Sequence, residues 1–233
     1  MHSRRLEGEW LDELPADDPR ARRSRADLAR INAIMGNARM VAGEFVPGTN
    51  RGLFVPGTNS IVEIGAGDGA FALVLARRMN VAGLRVTLVD RQRIVSPLTI
   101  AGFRDAGAAV EVAQDDVFDW LERPGPQVDA IVANLFLHHF EDEPLRRMLA
   151  LVATRTRFFV ACETRRSAWA LASARMLGAI GCNDVTRHDA VASVRAGFRD
   201  GQLSALWPAG PWKLTERGAG LFSHLFVARR TAP

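Results

Sequence analysis

The stretch "IVEIGAGDGAFALVLA", Ile61 to Ala76, decides how the rest of the chain is read. A β-branched run, interrupted only by Glu63, leads into Gly65, Gly67 and Gly69, and apolar residues at helical spacing follow at once. Glycine in such a turn lets the backbone reverse sharply and lets a ligand approach the main chain without meeting a Cβ. The stretch predicts a strand, a ligand-binding turn and a helix, the opening unit of an α/β fold.

Downstream the same rhythm repeats. "RVTLVD" precedes "SPLTIAGFRDAG"; "VEVAQDDV" follows; "DAIVANLF" precedes "PLRRMLALVATR"; and "FFVACE" precedes "AWALASARMLGAI". Strands alternating with helices imply a parallel sheet covered on both faces. From Arg165 the pattern loosens, and "KLTERGAGLFSHLFVARR" closes the chain as a pair of strands. The expected fold is therefore α/β: a Rossmann-like, doubly wound, mostly parallel sheet of about seven strands, with a C-terminal antiparallel hairpin and an N-terminal helical extension. Residues 1–59 are expected to form that extension and its loop, a candidate cofactor lid that Asn37 and Arg39 would bring to the ligand. Residues 60–233 form the main domain, in which 164–212, with Arg195, Phe198, Trp207 and Trp212, is a candidate substrate cap. A direct repeat precedes the first strand, "FVPGTNRGL" then "FVPGTNSIV"; two copies make no solenoid, and Pro-Gly with Thr-Asn reads as a duplicated loop.

Composition narrows the classes. The 233 residues are 48% hydrophobic, enough for a full core, and carry a net charge of +4. Lys213 is the sole lysine, so the positive charge is arginine interleaved with acids rather than a dedicated nucleic-acid face. The densest basic run, Arg20 to Arg30, has the spacing of a solvated helix face. Cys162 and Cys182 have neither zinc nor disulfide spacing. No apolar run approaches the roughly 20 residues of a membrane span, and a cytoplasmic location is expected.

Asp90, closing "RVTLVD" about twenty residues past the glycines, stands where an acid binds ribose hydroxyls. With the glycine turn it indicates an adenosine-type ligand. Glu63 before the turn suits a ligand carrying positive charge better than a pyrophosphate, and the absence of tyrosine removes Tyr-Lys dehydrogenase chemistry.

"VEIGAGDGA", "VTLVD", "AQDDVF" and "DAIVANLFLHHF", in that order, resemble the successive motifs of class I S-adenosylmethionine-dependent methyltransferases over Ser60 to Glu163, and the ending "LHHF" is most similar to small-molecule enzymes, including the quinone-biosynthesis group. The resemblance implies S-adenosylmethionine as cofactor and S-adenosylhomocysteine as product. It implies that Glu63, Gly65, Gly67 and Gly69 line the methionine and ribose end, with Asp90 on the ribose hydroxyls. Asp116 would accept from the adenine amino group, Val117 would offer its backbone N–H to the ring, and Asn134 would stand near the sulfonium.

A methyl on sulfonium is already activated, so a base is needed only where the nucleophile is protonated. His138 and His139, with ordinary pKa values near 6.5, are the candidate catalytic bases; His188 and His224 have weaker claims. The expected activity is O-methylation of an aromatic or polyketide-like small molecule. The alternatives are C-methylation of a quinone-like ring, an RNA or protein substrate, and a silent cofactor-binding protein. Against nucleic acid, no Asn/Asp-Pro-Pro-aromatic loop follows the fourth strand to stack a flipped base.

Overall fold

The structure, a computed structural model, describes residues 3–15, 17–45 and 59–231. Most of the duplicated FVPGTN loop lies outside the described residues. The strands are β1 (Ser60–Ile64), β2 (Arg85–Asp90), β3 (Ala109–Gln114), β4 (Ala130–Asn134), β5 (Phe158–Thr164), β6 (Trp212–Ala219) and β7 (Ser223–Arg230). They form one sheet in the order β3-β2-β1-β4-β5-β7-β6. β1 to β5 pair in parallel, with Glu63 level with both Leu88 and Val132, and β7 runs antiparallel between β5 and β6. This is the doubly wound sheet with a C-terminal hairpin that the alternating pattern predicts.

β4 and β5 are buried at every position, which explains why they read as continuous apolar runs rather than alternating ones. Their side chains still divide by a period of two. Ile131, Ala133, Phe159 and Ala161 enter one core layer, and Ala130, Val132, Phe158 and Val160 enter the layer on the opposite face. Helix α7 (Asp142–Arg155) covers the first layer with Leu145, Met148, Leu149 and Val152. It opens on Asp142, Glu143 and a proline, which suit the positive end of the helix dipole and the first-turn N–H groups without partners. Helices α4 (Ala70–Met79) and α5 (Pro97–Asp105) cover the second layer; Ser96 caps α5 by accepting from the Thr99 N–H.

Upstream lie α1 (Trp10–Glu13), α2 (Pro19–Met35) and α3 (Asn37–Gly43). Downstream of β3 comes the short α6 (Val117–Glu122), and beyond β5 come α8 (Ala168–Met176), α9 (Asp184–Ala196) and α10 (Gln202–Leu206). The segment that loosens in sequence after Arg165 is thus largely helical. Two of its tryptophans pack on one another, with Trp207 stacked on Phe159 at 5.4 Å between ring centroids and Trp212 edge-on to Trp207, whereas Trp169 on α8 is exposed. Phe198 is fully buried. Phe198, Trp207 and Trp212 belong to the core or pack against it, Trp169 faces solvent, and only α9 from that segment reaches the cavity described below. No helix among the described residues is long and apolar enough to cross a membrane.

Candidate functional site

The strand order reverses between β1 and β4, and an open α/β sheet presents its ligand crevice at the carboxyl ends of the strands there. A cavity of about 930 Å³ lies over those ends. Its floor is the glycine turn, Asp90, the β3–α6 turn and Asn134; its walls are α2, α9 and the segment Leu6–Asp12, which crosses the opening as a strap.

The three glycines of the turn all have positive φ, but they serve different ends. A Cβ on Gly67 would meet nothing within 4 Å, so this position is an open cradle. A Cβ on Gly65 would sit 2.1 Å from the Phe136 ring, and one on Gly69 would sit 2.7 Å from Leu88. Gly65 and Gly69 therefore make room for protein.

The Asp90 carboxylate ties β2 to the turn: Oδ2 accepts the Gly67 N–H at 2.7 Å and Oδ1 the Gln92 N–H at 2.8 Å. Glu63 is buried and accepts from the Ala72 N–H at 3.2 Å. Burial, joined by the nearby charges of Asp68 and Asp90, pushes its pKa well above the carboxylate range against that one hydrogen bond. Asp115 pairs with Arg123 at 2.7 Å, whereas Asp116 caps α6 by accepting from the Phe118 N–H at 2.8 Å. Val117 is the first residue of that helix. Asn134 accepts from Asn37 Nδ2 at 2.8 Å, and Ser223 donates to Asn37 Oδ1 at 2.8 Å, so a buried amide chain joins α3, β4 and β7. Asn37 is thus bonded to a residue of the cavity floor, and neither it nor Arg39 lines the cavity itself.

His138 and His139 lie on a 3-10 turn, Leu137–His139, just beyond β4. His138 is buried with Nδ1 2.8 Å from Glu163 Oε2, at the end of β5, and Nε2 3.3 Å from Glu9 Oε1, on the strap. Burial opposes charge on this imidazole, but the bonds to Glu163 and then Glu9 outweigh it and lift its pKa to about 10. Burial likewise opposes charge on Glu9, yet its bond to His138 prevails and lowers it to about 2. His139 is 27% exposed, its pKa lowered by burial and by charge on His138. Neither Glu163 nor Glu9 is marked by sequence spacing. An acid ending the apolar run "FFVACE" is the one available signal for Glu163; Glu9 is 129 positions from His138 and carries none. His188 instead stacks on Trp10, and His224 is buried against Glu216 at 2.8 Å; neither lines the cavity.

The strap is held by polar contacts. Arg4 donates to the Ala196 and Phe140 carbonyls at 2.9 and 2.8 Å, pairs with Asp142 at 2.7 Å and lies over the Phe198 ring. Asp189 of α9 accepts the Trp10 and Leu11 N–H groups at 2.8 and 3.0 Å.

Residues 61–157, from β1 to the end of α7, match the family described as "Methyltransferase domain". That stretch is of the class I methyltransferase type, and a domain of this type implies S-adenosylmethionine as its cofactor. Among curated proteins none matches the sequence. Solved structures with the same fold include an O-methyltransferase family protein from Burkholderia thailandensis, 18% identical, with a TM-score of 0.58 over 93% of this chain and 61% of that one. The mitomycin 7-O-methyltransferase MmcR is 19% identical, with a TM-score of 0.58 over 95% of this chain and 60% of that one. The plantazolicin methyltransferase BamL, solved with S-adenosylhomocysteine, is 10% identical, with a TM-score of 0.67 over 93% of each chain. The chain spans about three fifths of the length of the first two, and at these identities the likeness is one of fold.

Proposed function

We propose that this protein transfers the methyl group of S-adenosylmethionine to a hydroxyl oxygen of an aromatic or polyketide-like small molecule, releasing S-adenosylhomocysteine. One observation carries the reading: a single cavity joins an acid-lined glycine turn to an imidazole–carboxylate cluster. The names of the O-methyltransferases with the same fold support oxygen as the methylated atom.

The residues fit the cofactor. Gly67 leaves the space a Cβ would fill, and the carboxylates of Asp68 and Asp90, with the buried Glu63 behind them, suit a cationic ligand at that end. Asp90 has lone pairs beyond those used by Gly67 and Gln92 for ribose hydroxyls. Gly65 and Gly69 shape the turn. Asp116 is assigned to the adenine amino group, and the Val117 N–H, without a partner inside its helix, to the ring. Asn134 is assigned to the sulfonium end, its orientation fixed by Asn37.

Bound S-adenosylmethionine supplies a methyl group already activated by its positive sulfur, so alignment, exclusion of water and loss of the acceptor's proton are left to the protein. We assign His138 and His139 to the acceptor end of the cavity, His139, whose pKa is lowered, receiving the acceptor's proton and His138, held between Glu163 and Glu9, fixing the turn that carries it. Residues 1–59 supply the lid, through the strap and α2, to the domain of residues 60–233. The cap role of 164–212 narrows to the Ala192, Ser193 and Ala196 face of α9. Two unpaired cysteines accord with a reducing, cytoplasmic setting.

Calorimetry with S-adenosylmethionine tests the reading. One-site binding is expected, weakened about tenfold or more, ~1.4 kcal/mol, in Asp90→Ala. Failure of the wild type to bind, or to form S-adenosylhomocysteine with any of a panel of phenols, overturns it.

A further inference from the structure

The turn at Leu137–His139 sets two imidazoles side by side, 4.4 Å between centroids, and each ring divides its nitrogens in the same way. His138 Nδ1 is held by Glu163 at 2.8 Å while its Nε2 lies 3.3 Å from Glu9 Oε1. His139 Nδ1 is held by Asp12 at 3.5 Å while its Nε2 lies 4.0 Å from Glu9 Oε2. Both Nε2 atoms thus converge on one carboxylate, and both Nδ1 atoms rest on outer carboxylates. Ser193 donates from the far side to Glu9 Oε1.

Histidines that ligate metals show this division: a carboxylate behind one nitrogen fixes the ring and its tautomer so that the other points at the ion. The donor atoms of Glu9, His138 and His139 lie within 4.8 Å of one another. Neighbouring donors around a tetrahedral ion with bonds of about 2.0–2.1 Å are spaced by about 3.3–3.4 Å. The Glu9–His138 separation matches that edge, and the longer Glu9–His139 one belongs to the more exposed ring. Charge points the same way. Three carboxylates, Glu9, Asp12 and Glu163, surround two imidazoles, and Glu163 is fully buried, so the cluster carries a surplus of negative charge that a divalent cation would neutralise.

We propose that Glu9, His138 and His139 bind one divalent cation, zinc or a borderline ion such as cobalt, leaving its cavity side free for an oxygen ligand. Two imidazole nitrogens and one carboxylate favour such ions over magnesium or calcium, and three protein ligands with an open position are the arrangement of catalytic rather than structural sites. The strap would then supply a ligand, so the site is complete only when residues 3–15 are in place. The use of the ion rests on the methyl-transfer reading: the acceptor hydroxyl would complete its shell and ionise more readily there, its proton passing to water on the open cavity side, with the imidazoles acting as ligands in place of a base. Binding of the ion does not depend on that reading.

The test uses the untagged full chain, stripped with chelator and titrated with Co²⁺ alone, read by visible absorption, and then with Zn²⁺ in competition. About one equivalent of Co²⁺ should bind with a tetrahedral or five-coordinate spectrum and be displaced by Zn²⁺. Glu9→Gln and His139→Gln should each weaken it at least tenfold, while His188→Gln leaves it intact. Thermal unfolding midpoints of the Glu9 and His139 variants close to that of the wild type verify folding without S-adenosylmethionine, so failure of this proposal is read apart from failure of the transferase reading. Absence of uptake at micromolar Co²⁺, uptake unchanged in Glu9→Gln, or uptake abolished by Cys182→Ser overturns the proposal.

Discussion

Glu163 and His138 form a 2.8 Å pair at the ends of two neighbouring strands, and the second oxygen of the same carboxylate accepts the Phe136 and Leu137 N–H groups at 3.0 and 2.9 Å. One buried side chain at the end of β5 thereby holds the whole turn that leaves β4. Glu163→Ala strips three donors of their acceptor and is expected to cost about 3–5 kcal/mol in urea unfolding, the range for breaking a buried ion pair. Glu163→Gln keeps an oxygen for the two backbone groups and should cost less. Equal losses in the two variants would show that the backbone bonds contribute nothing.

The glycine turn separates packing from ligand approach. Gly65→Ala drives a Cβ into Phe136 at a left-handed backbone position, whereas Gly67→Ala meets open space at the same kind of φ. Backbone strain of roughly 1–2 kcal/mol is expected for Gly67→Ala; Gly65→Ala should be distinctly more destabilising by thermal denaturation. Both should lower S-adenosylmethionine affinity in calorimetry. A Gly65→Ala protein as stable as Gly67→Ala would contradict the Phe136 contact.

Arg4 is the main fastener of the strap, with partners on α7, α9 and the turn after β4. Arg4→Ala should speed amide exchange and proteolysis across residues 3–15 by about tenfold or more, equivalent to ~1.4 kcal/mol of local opening, while β4 and β5 keep their protection. Protection lost equally in strap and sheet would mean that the two open together.

Acid should loosen the C-terminal hairpin. Glu216 accepts from the Leu203 and Ser204 N–H groups at 3.0 and 2.7 Å and lies 2.8 Å from His224. Burial works against its charge, but the His224 bond and then the backbone bonds hold its pKa below the ordinary carboxylate value. A depressed carboxylate contributes stability that is present above the unfolded-state pKa, near 4.5, and is lost as pH falls through the lower folded value. Stability of the wild type should therefore decline below about pH 4.5 more steeply than that of Glu216→Gln, followed by denaturant titration at successive pH values. Parallel pH profiles would remove Glu216 from the account.

The β1–β5 alternation and the floor of the site were legible because each depends on short stretches. Gly65 to Gly69 adjoin their strand and helix, and Asp90 closes a strand that pairs with β1 residue by residue. The walls were less so. Trp207 and Trp212 suggest an acceptor surface by composition, but composition does not reveal that Trp207 stacks on Phe159 in the core and that Trp212 packs edge-on against Trp207. His138 stands out at once, whereas the groups that set its charge come from β5 and the strap, 25 and 129 positions away. Pairings that distant are fixed by topology, and no local periodicity records them.

The contacts fastening the strap to the domain span as many as 192 positions of sequence, among the longest loops this chain closes. Loop closure over such separations is entropically unfavourable until the surfaces being joined already exist. Docking of residues 3–15 therefore comes late in folding, after α9 and the turn beyond β4 have formed. The folding domain should then pass through an unroofed stage with the cavity open to solvent, and in pulse-labelled refolding the slowest native amides to acquire protection should include those of Trp10 and Leu11, which Asp189 accepts.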